Sequence, residues 1–219
     1  DGALMAQNDS TLNLANRVLQ RLGADPITSL TTTVDTSTRA AVMSRLIEST
    51  RQAALSSHNW NFSEVKVTLD GFMCTPLSEF DCAYLMPTNY LHLRETSLDE
   101  EDAYRVEMHL CAHNNTCNLV LVTDSACNPV ITYTVDLTDI TKWDPLFTYA
   151  LELQLATDAA YPITRNAGLA QEWGKQAEVA WRKAKSRDGQ EGRFKKPWLS
   201  NVLLRARLPG GRRPDRTDL

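Results

Sequence analysis

The sequence lacks the hydrophobic stretches that membrane-spanning and exported proteins carry. It has no run of about 18 or more apolar residues, so we expect no membrane span. Its N-terminus lacks the basic and then apolar layout of a secretory signal, and residues 1–4, before Met5, are interpreted as an expression remnant. These features indicate a protein that is made and assembled inside a cell.

Cysteine is sparse and unevenly spaced along the chain. The five cysteines are an odd number at irregular spacing, which argues against a disulfide framework. Reduced thiols are typical of the cytosol. We therefore expect the chain to fold in a reducing compartment.

The sequence also lacks the motifs of several enzyme classes. It contains no Gly-x-Ser-x-Gly nucleophile elbow, no Walker A loop and no dinucleotide fingerprint. The four adjacent acids at residues 99–102 repel one another and are interpreted as a solvated loop, because an acid/base pair needs a shared pocket. The sequence therefore favours a protein with no catalytic residues and no cofactor. A small hydrolase on a helical scaffold, dependent on His58, His109 or His113, is the enzyme alternative.

One cluster has residue types that suit zinc, namely His109, Cys111, His113 and Cys117. The cluster lies in a predicted β-hairpin that turns at Asn114-Asn115. A two-residue turn pairs Met108 with Leu121 and places Cys117 on the apolar face, away from the histidines. A three-residue turn would instead place Cys117 beside His113. We interpret the cluster as an exposed polar face without a metal, and the second register stays open.

The charge of the chain is unevenly placed. The net charge is −4, but the segment from Arg193 to the C-terminus has eight Lys/Arg against two acids. This segment therefore carries +6 and the rest of the chain carries −10. A duplex-DNA binder typically places its basic patch on the folded core, so the distribution favours a folded module with a basic arm that binds elsewhere. A DNA-binding module that uses residues 193–216 is the alternative.

Apolar residues at helical spacing predict four helices. The first is expected to run from Ser10, a suitable N-cap, to Gly23, a suitable residue just after a helix end. The second and fourth are expected over residues 37–57 and 165–186. The third is expected over residues 145–162, because it has proline at its first position and is stopped by a second proline.

Period-two alternation of apolar residues predicts strands in the middle of the chain. They are expected near residues 64–69, on both sides of the hairpin turn, and at residues 130–135. The order of helices, strands and helices predicts an α+β fold that is mainly α: an antiparallel helical bundle with an inserted small antiparallel β lobe and an extended C-terminal arm. The bundle is assigned to residues 9–60 and 140–188, the inserted β-rich lobe to residues 61–139, and the basic arm to residues 189–219.

Tryptophans near the C-terminus are candidates for contacts. Trp173 and Trp181 lie eight residues apart on one helical face, which favours helix core, with a subunit contact as the alternative. Trp198 belongs to an apolar cluster with basic flanks, which is typical of a docking segment that orders on a partner. A fifth helix packed on its own domain is the alternative. The candidate docking residues are Lys195, Lys196, Trp198, Leu199, Leu203, Leu204 and Arg205.

Four blocks occur in order along residues 11–162. They are Leu12-Asn13-Leu14-Ala15-Asn16-Arg17-Val18-Leu19 leading to Leu22-Gly23-Ala24-Asp25-Pro26-Ile27 and Ser29-Leu30; His58-Asn59-Trp60-Asn61-Phe62 with a strand through Leu69; Tyr84-Leu85-Met86-Pro87-Thr88-Asn89-Tyr90-Leu91-His92-Leu93; and the segment from Trp143 to Pro162. In this order they resemble the tail tubular protein A family, the head-to-tail adaptors of short-tailed bacteriophages. The third block is similar to the family's Leu-Pro-x-Asp-x-Leu-x-Leu segment, except that Met86 intervenes and Asn89 stands where an acid is usual.

The resemblance implies a structural virion protein. Such adaptors form a homo-oligomeric ring, usually dodecameric, between the portal protein and the tail nozzle protein. Genome DNA passes through the lumen without specific binding, and tail fibres attach nearby. The resemblance thus implies localisation in the tail or neck of the virion and assembly in the host cytoplasm. The arm lies outside the matched blocks, and its docking on the portal is a hypothesis from its basic and apolar composition. A tail-completion or neck protein with another partner is the alternative.

Overall fold

The computed structural model describes residues 2–71, 79–99, 102–111, 116–125 and 128–191. The helices in this part are α1 (Gly2–Arg21), α2 (Thr38–Ser56), α3 (Pro145–Thr164) and α4 (Ala167–Glu191). The strands are β1 (Glu64–Thr68), β2 (Cys82–Leu85), β3 (Tyr90–Thr96), β4 (Tyr104–Cys111), β5 (Thr116–Thr123) and β6 (Val130–Val135). Within these ranges, none of the helices combines the length and apolarity that a bilayer crossing requires.

The strands form two antiparallel sheets of three strands each. One sheet has the order β1-β6-β3 and the other has the order β2-β5-β4. About half of the described residues are helical and 22% lie in strands. The prediction of a mainly helical bundle with a small inserted β lobe is therefore wrong, because the sheets form a substantial second layer.

The prediction underestimated the sheets because two strands have weak sequence patterns. Strand β2 has four residues, too few for alternation to be recognised. Strand β3 has register shifts against β6 between Tyr90 and His92 and between Leu93 and Glu95. Each shift breaks the period of two on which the prediction depended. Both strands were left unassigned for this reason.

The two sheets share a hydrophobic core of their own. Aromatic and aliphatic side chains from both sheets fill it, with Leu121 and Ile131 fully buried. Tyr133 in this core donates a 3.0 Å hydrogen bond from its hydroxyl to the Asn89 side chain. The buried members of the core are Leu69, Tyr84, Met86, Leu121, Ile131, Tyr133 and Val135.

The helix boundaries agree with the sequence at some ends and differ at others. Helix α1 begins at Gly2 rather than at Ser10, so the predicted N-cap lies inside the helix. Its end is as expected: Gly23 has φ +67°, and the following amide donates 3.0 Å to the Leu19 carbonyl. Helix α2 is confirmed, with Ser37 as its N-cap. Helix α3 starts after Asp144 as predicted but continues past Pro162 to Thr164.

The helices pack around an aromatic cluster centred on Phe147 of α3. Its ring lies 5.0 Å from the Trp60 ring and 5.6 Å from the Trp181 ring, measured between centroids. Trp143 and Phe62 contact the same ring at 5.5 and 5.0 Å. The most extensively paired helices, α3 and α4, are joined by a tight link in which Arg165 adopts the left-handed region at φ 57°.

Polar contacts attach the first sheet to the helices. The Arg51 guanidinium on α2 donates to both carboxylate oxygens of Asp136 at 3.1 and 3.0 Å, and Gln52 adds a 3.0 Å bond. Asp136 directly follows β6, so this paired group fixes the end of the central strand to α2. Arg51 and Asp136 are largely buried, and a bidentate pair of this kind limits how the two layers can slide.

Candidate functional site

The seven predicted docking residues, Lys195, Lys196, Trp198, Leu199, Leu203, Leu204 and Arg205, lie outside the described residues. The chain that leads to them is described. Helix α4 continues through Gly189 to Glu191, five residues beyond its predicted end at Ser186. The candidate segment thus follows a long helix. At 25 residues, α4 is about 37 Å long.

The hairpin that carries the possible zinc ligands has a different register from the predicted one. Met108 pairs with Leu119, not with Leu121, and the loop between β4 and β5 spans residues 112–115. The register differs by two residues, so Met108 and Leu119 still lie on the same face of the hairpin. The predicted two-residue turn is wrong because the turn chemistry of Asn114-Asn115 did not determine the strand pairing.

The described members of the zinc cluster do not converge. His109 pairs with Asn118, whereas Cys117 pairs with Leu110, so the two side chains project from opposite faces of the hairpin. His109 is 5% exposed, which makes the prediction of an exposed polar face wrong at this position. Among the described residues, no group of three or more His, Cys, Asp or Glu could hold a metal ion. His113 lies outside that part of the chain.

His58, which follows α2, is held by contacts with α4 and with Trp60. His58 pairs through Nε2 with Asp188 of α4 at 3.1 Å and contacts the Trp60 ring edge-on at 4.8 Å. Asp188 also accepts a 2.9 Å bond from the Asn61 amide. A hydrolase dyad needs a nucleophile on the second ring nitrogen. Within the described ranges, no hydroxyl or thiol is hydrogen-bonded to the His58 ring, so the pair serves to hold the segment after α2 against α4.

A groove of about 930 Å³ lies between α2 and α4, with α3 as its floor. Burial raises the pKa of the Asp158 carboxyl, which accepts a 3.1 Å hydrogen bond from Gln154. Ser49 and Ser57 use their hydroxyls to bond carbonyls of their own helix. No histidine or cysteine lines this groove to activate a hydroxyl. The lining is Leu46, Ser49, Thr50, Ala53, Ala54, Ser57, Gln154, Asp158, Glu178, Trp181, Arg182 and Lys185.

An apolar strip is exposed where α3 and α4 run side by side. Leu146 is 37% exposed, Tyr149 45% and Val179 43%, although all three belong to regular helices. Two adjoining shallow grooves, of about 530 and 500 Å³, share Leu146, Val179 and Lys183. We call Leu146, Tyr149 and Val179 the α3–α4 strip. Large apolar side chains that adjoin on a helix pair are typical of a contact surface.

The rim of the α3–α4 strip is cationic. Lys175, Arg182, Lys183 and Arg187 line the two grooves, and no carboxylate does. Arg187 is paired with Glu191 at 3.2 Å, but both side chains are more than half exposed, so the pair neutralises it weakly. The strip therefore combines apolar contact area with positive charge.

The far end of the two sheets is acidic. Three loops join the sheets there, and their described residues, 69–71, 79–81, 97–99, 102–103, 124–125 and 128–129, contain six acids and no Lys/Arg. We call these loops the acidic end. It lies about 17 Å along β6 from the Arg51–Asp136 pair. Its exposed carboxylates within the described ranges are Asp70, Glu79, Asp81, Asp99 and Asp124.

The remaining sequence interpretations have mixed outcomes. Asp99 is exposed and Asp102 is half-buried, in agreement with a loop, and the two acids between them lie outside the described residues. Trp181 packs against the Phe147 cluster, and Trp173 is half-buried against the same core, so the prediction of helix core is confirmed.

The sequence analysis did not predict the α3–α4 strip. Its signal was an apolar segment at residues 146–151 that is wider than one buried face requires.

Neither a protein-family model nor a curated protein matches this sequence. The resemblance to phage adaptors therefore stays a prediction from sequence blocks.

Proposed function

We propose that this protein is a head-to-tail adaptor of a short-tailed phage. In this role, copies of the chain form a ring, dodecameric by resemblance, between the portal protein and the tail nozzle protein. The observation that carries the proposal is the segregation of charge. Residues 61–139 contain thirteen acids and three Lys/Arg, whereas residues 192–219 contain eight Lys/Arg and two acids. The intervening helical segments are electrically balanced.

The acidic sheets suit a protein that lets DNA pass without holding it. Duplex DNA carries one negative charge about every 1.7 Å along its axis, and non-specific binding needs Lys or Arg to neutralise phosphates. The β-rich region, residues 61–139, instead has ten more acids than Lys/Arg, thirteen against three. A lumen lined by such residues repels the phosphates and keeps DNA mobile.

The basic arm suits attachment to another protein. Its apolar cluster around Trp198 and its flanking Lys195, Lys196 and Arg205 have the composition of a segment that orders on binding. The arm follows the end of α4, a helix held along much of its length by α3. In the proposed role the arm binds the portal protein, and the helical body presents surfaces to neighbouring copies, to the nozzle protein and to tail fibres.

Deletion of the arm tests this proposal. A variant that ends at Glu191 keeps every described helix and strand, so we expect it to stay folded and to lose the ability to join purified portal rings. The matched control deletes residues 210–219, which removes basic residues but retains all seven docking residues. Size exclusion with light scattering gives the mass of each mixture.

The full-length chain and the control are expected to add to portal rings in a fixed ring stoichiometry. Portal binding by the variant that ends at Glu191, at the wild-type level, would contradict docking through the arm. A full-length chain that stays separate from portal rings would contradict the adaptor role and favour a tail-completion or neck protein with another partner.

A further inference from the structure

We infer that the α3–α4 strip binds the acidic end of a second copy of this chain. The inference rests on the proposed ring, because it names the two surfaces through which neighbouring copies meet. Leu146, Tyr149 and Val179 are the apolar residues of the strip, and the described part of the same chain leaves them 37–45% exposed.

The strip lies on a rigid support. Directly behind it, Ala150 and Leu153 of α3 pack against Ala177 and Ala180 of α4, and all four are buried. Alanines at these positions let the two helices approach closely. A surface held in this way loses little conformational entropy when a partner binds. The strip is thus suited to a preformed contact.

The charges of the two surfaces are complementary. The strip is bordered by Lys175, Lys183 and Arg187 without a carboxylate in its grooves. The described residues of the acidic end include six acids and no Lys/Arg. Arg105, at the start of β4, is paired with Glu107 at 2.7 Å and so adds little net positive charge there. Opposite potentials on two faces of one chain favour head-to-tail contact between copies.

The acidic end also has an apolar counterpart for the strip. Tyr104, the first residue of β4, is 45% exposed, and Phe80 in the loop before β2 is half-buried. Arg105 covers one side of Phe80, with its guanidinium carbon 5.7 Å from the ring centroid. This aromatic area at the acidic end matches the apolar residues of the strip, because aromatic residues are enriched at the centres of protein interfaces.

The two surfaces lie on different elements, so every copy can use both at once. A contact between unlike faces is heterologous, and repetition of such a contact produces a closed ring or an open chain of copies. A second copy is a better occupant than the arm of the same chain. The arm carries a net charge of +6 and the rim of the strip is also positive, so the two surfaces repel each other.

Carbodiimide cross-linking of full-length protein tests the inference, because this reagent joins amines to carboxylates in direct contact. Equal amounts of unlabelled and ¹⁵N-labelled chains are mixed at high concentration, so that cross-links between copies are recognised by their mixed mass. We expect links between copies from Lys175 or Lys183 to Asp81, Asp99 or Asp124. The absence of such links, or links from these lysines to Asp215 or Asp218 of the same chain, would overturn the inference.

Two substitutions give matched comparisons. Val179→Asp places a carboxylate in the strip and is expected to lower the yield of these links about tenfold, a loss of about 1.4 kcal/mol in contact free energy. Val34→Asp is the control, since Val34 is 71% exposed in a loop elsewhere. Arg187→Glu and its control Arg45→Glu repeat the test at exposed helix positions and leave the cross-linking lysines in place. Equal yields in variant and control would refute the assignment.

This test separates the contact from the adaptor role. If copies are linked through the strip but the protein does not join portal rings, the inference is supported and the proposed function is contradicted. If wild type and Val179→Asp join portal rings equally well and no links from the strip form, the inference is contradicted and the proposed function is not.

Discussion

The guanidinium of Arg94 on β3 donates a 2.8 Å hydrogen bond to the backbone carbonyl of Trp60. The same side chain bonds the hydroxyls of Ser63 and Thr134 at 3.1 and 2.7 Å and pairs with Glu64 at 3.2 Å. Trp60 packs on Phe147 in the helical core. One arginine of the sheet therefore holds the segment through which the chain passes from the helices into the first strand.

Replacement of Arg94 should destabilise the fold strongly. The Arg94 side chain is 6% exposed, and Arg94→Met removes charge-assisted hydrogen bonds that its partners cannot all recover from water. We expect the free energy of unfolding to fall by about 3 kcal/mol. Urea denaturation measures it. Arg105→Met is the control: its pair with Glu107 has a 52% exposed arginine, so a loss below about 1 kcal/mol is expected. Equal losses in the two variants would contradict this account.

Phe147 and Leu146 are neighbours with opposite roles, which two alanine variants can separate. Phe147 is fully buried in the aromatic cluster, so Phe147→Ala leaves a cavity and should cost about 3–5 kcal/mol of unfolding free energy. Leu146 is partly exposed, and Leu146→Ala should cost less than about 1 kcal/mol. Thermal and urea denaturation compare the two. A Leu146→Ala loss as large as that of Phe147→Ala would show that the strip is part of the core.

Asp158 should make the protein less stable as the pH rises. Burial raises the pKa of its carboxyl, so the folded chain retains a proton that the unfolded chain loses near its ordinary pKa of about 3.9. Because the folded state then binds more protons, the unfolding free energy falls between that value and the raised folded pKa. Asp158→Asn keeps the oxygen that accepts from Gln154 and removes the titration. The variant should be more stable than wild type at pH 7 and similar at pH 4. Parallel pH profiles in urea denaturation would argue against this.

Arg165 offers a stabilising substitution. It occupies the left-handed region at φ 57° between α3 and α4, where a side chain costs about 1 kcal/mol and glycine does not. Arg165→Gly is expected to raise the free energy of unfolding by about 0.5 kcal/mol, after the entropy of the more flexible unfolded chain is subtracted. Denaturant titration checks this, with Arg45→Gly inside α2 as a destabilising control. A loss at Arg165 would indicate a contact of its side chain that outweighs the strain.

The sequence was informative where local chemistry decides the structure. The start of α3 at Pro145 and the end of α1 before Gly23 were predicted correctly, because a proline at the first helical position and a residue with positive φ determine these ends. Strand β1 was predicted because its apolar residues alternate without interruption, and β6 because residues 130–135 are all β-branched or aromatic.

Other features depend on contacts between distant segments, which local patterns do not encode. The bulges in β3 are set by its pairing with β6, and the register of β4 with β5 places Met108 opposite Leu119 despite the Asn-Asn turn signal. The burial of His109 follows from the packing of its sheet. The α3–α4 strip became visible once the pairing of α3 and α4 showed which apolar residues the core leaves uncovered.

The acidic end consists of loops that each cross from one sheet to the other, and the frame beneath them is fixed from the opposite side by Arg51 and Asp136. Changes of length or sequence in these crossings leave the anchoring contacts untouched. Related chains can therefore diverge at this end and acquire new neighbours while the scaffold stays constant. A peptide grafted into these loops would therefore disturb the contact between copies while leaving the anchored fold intact.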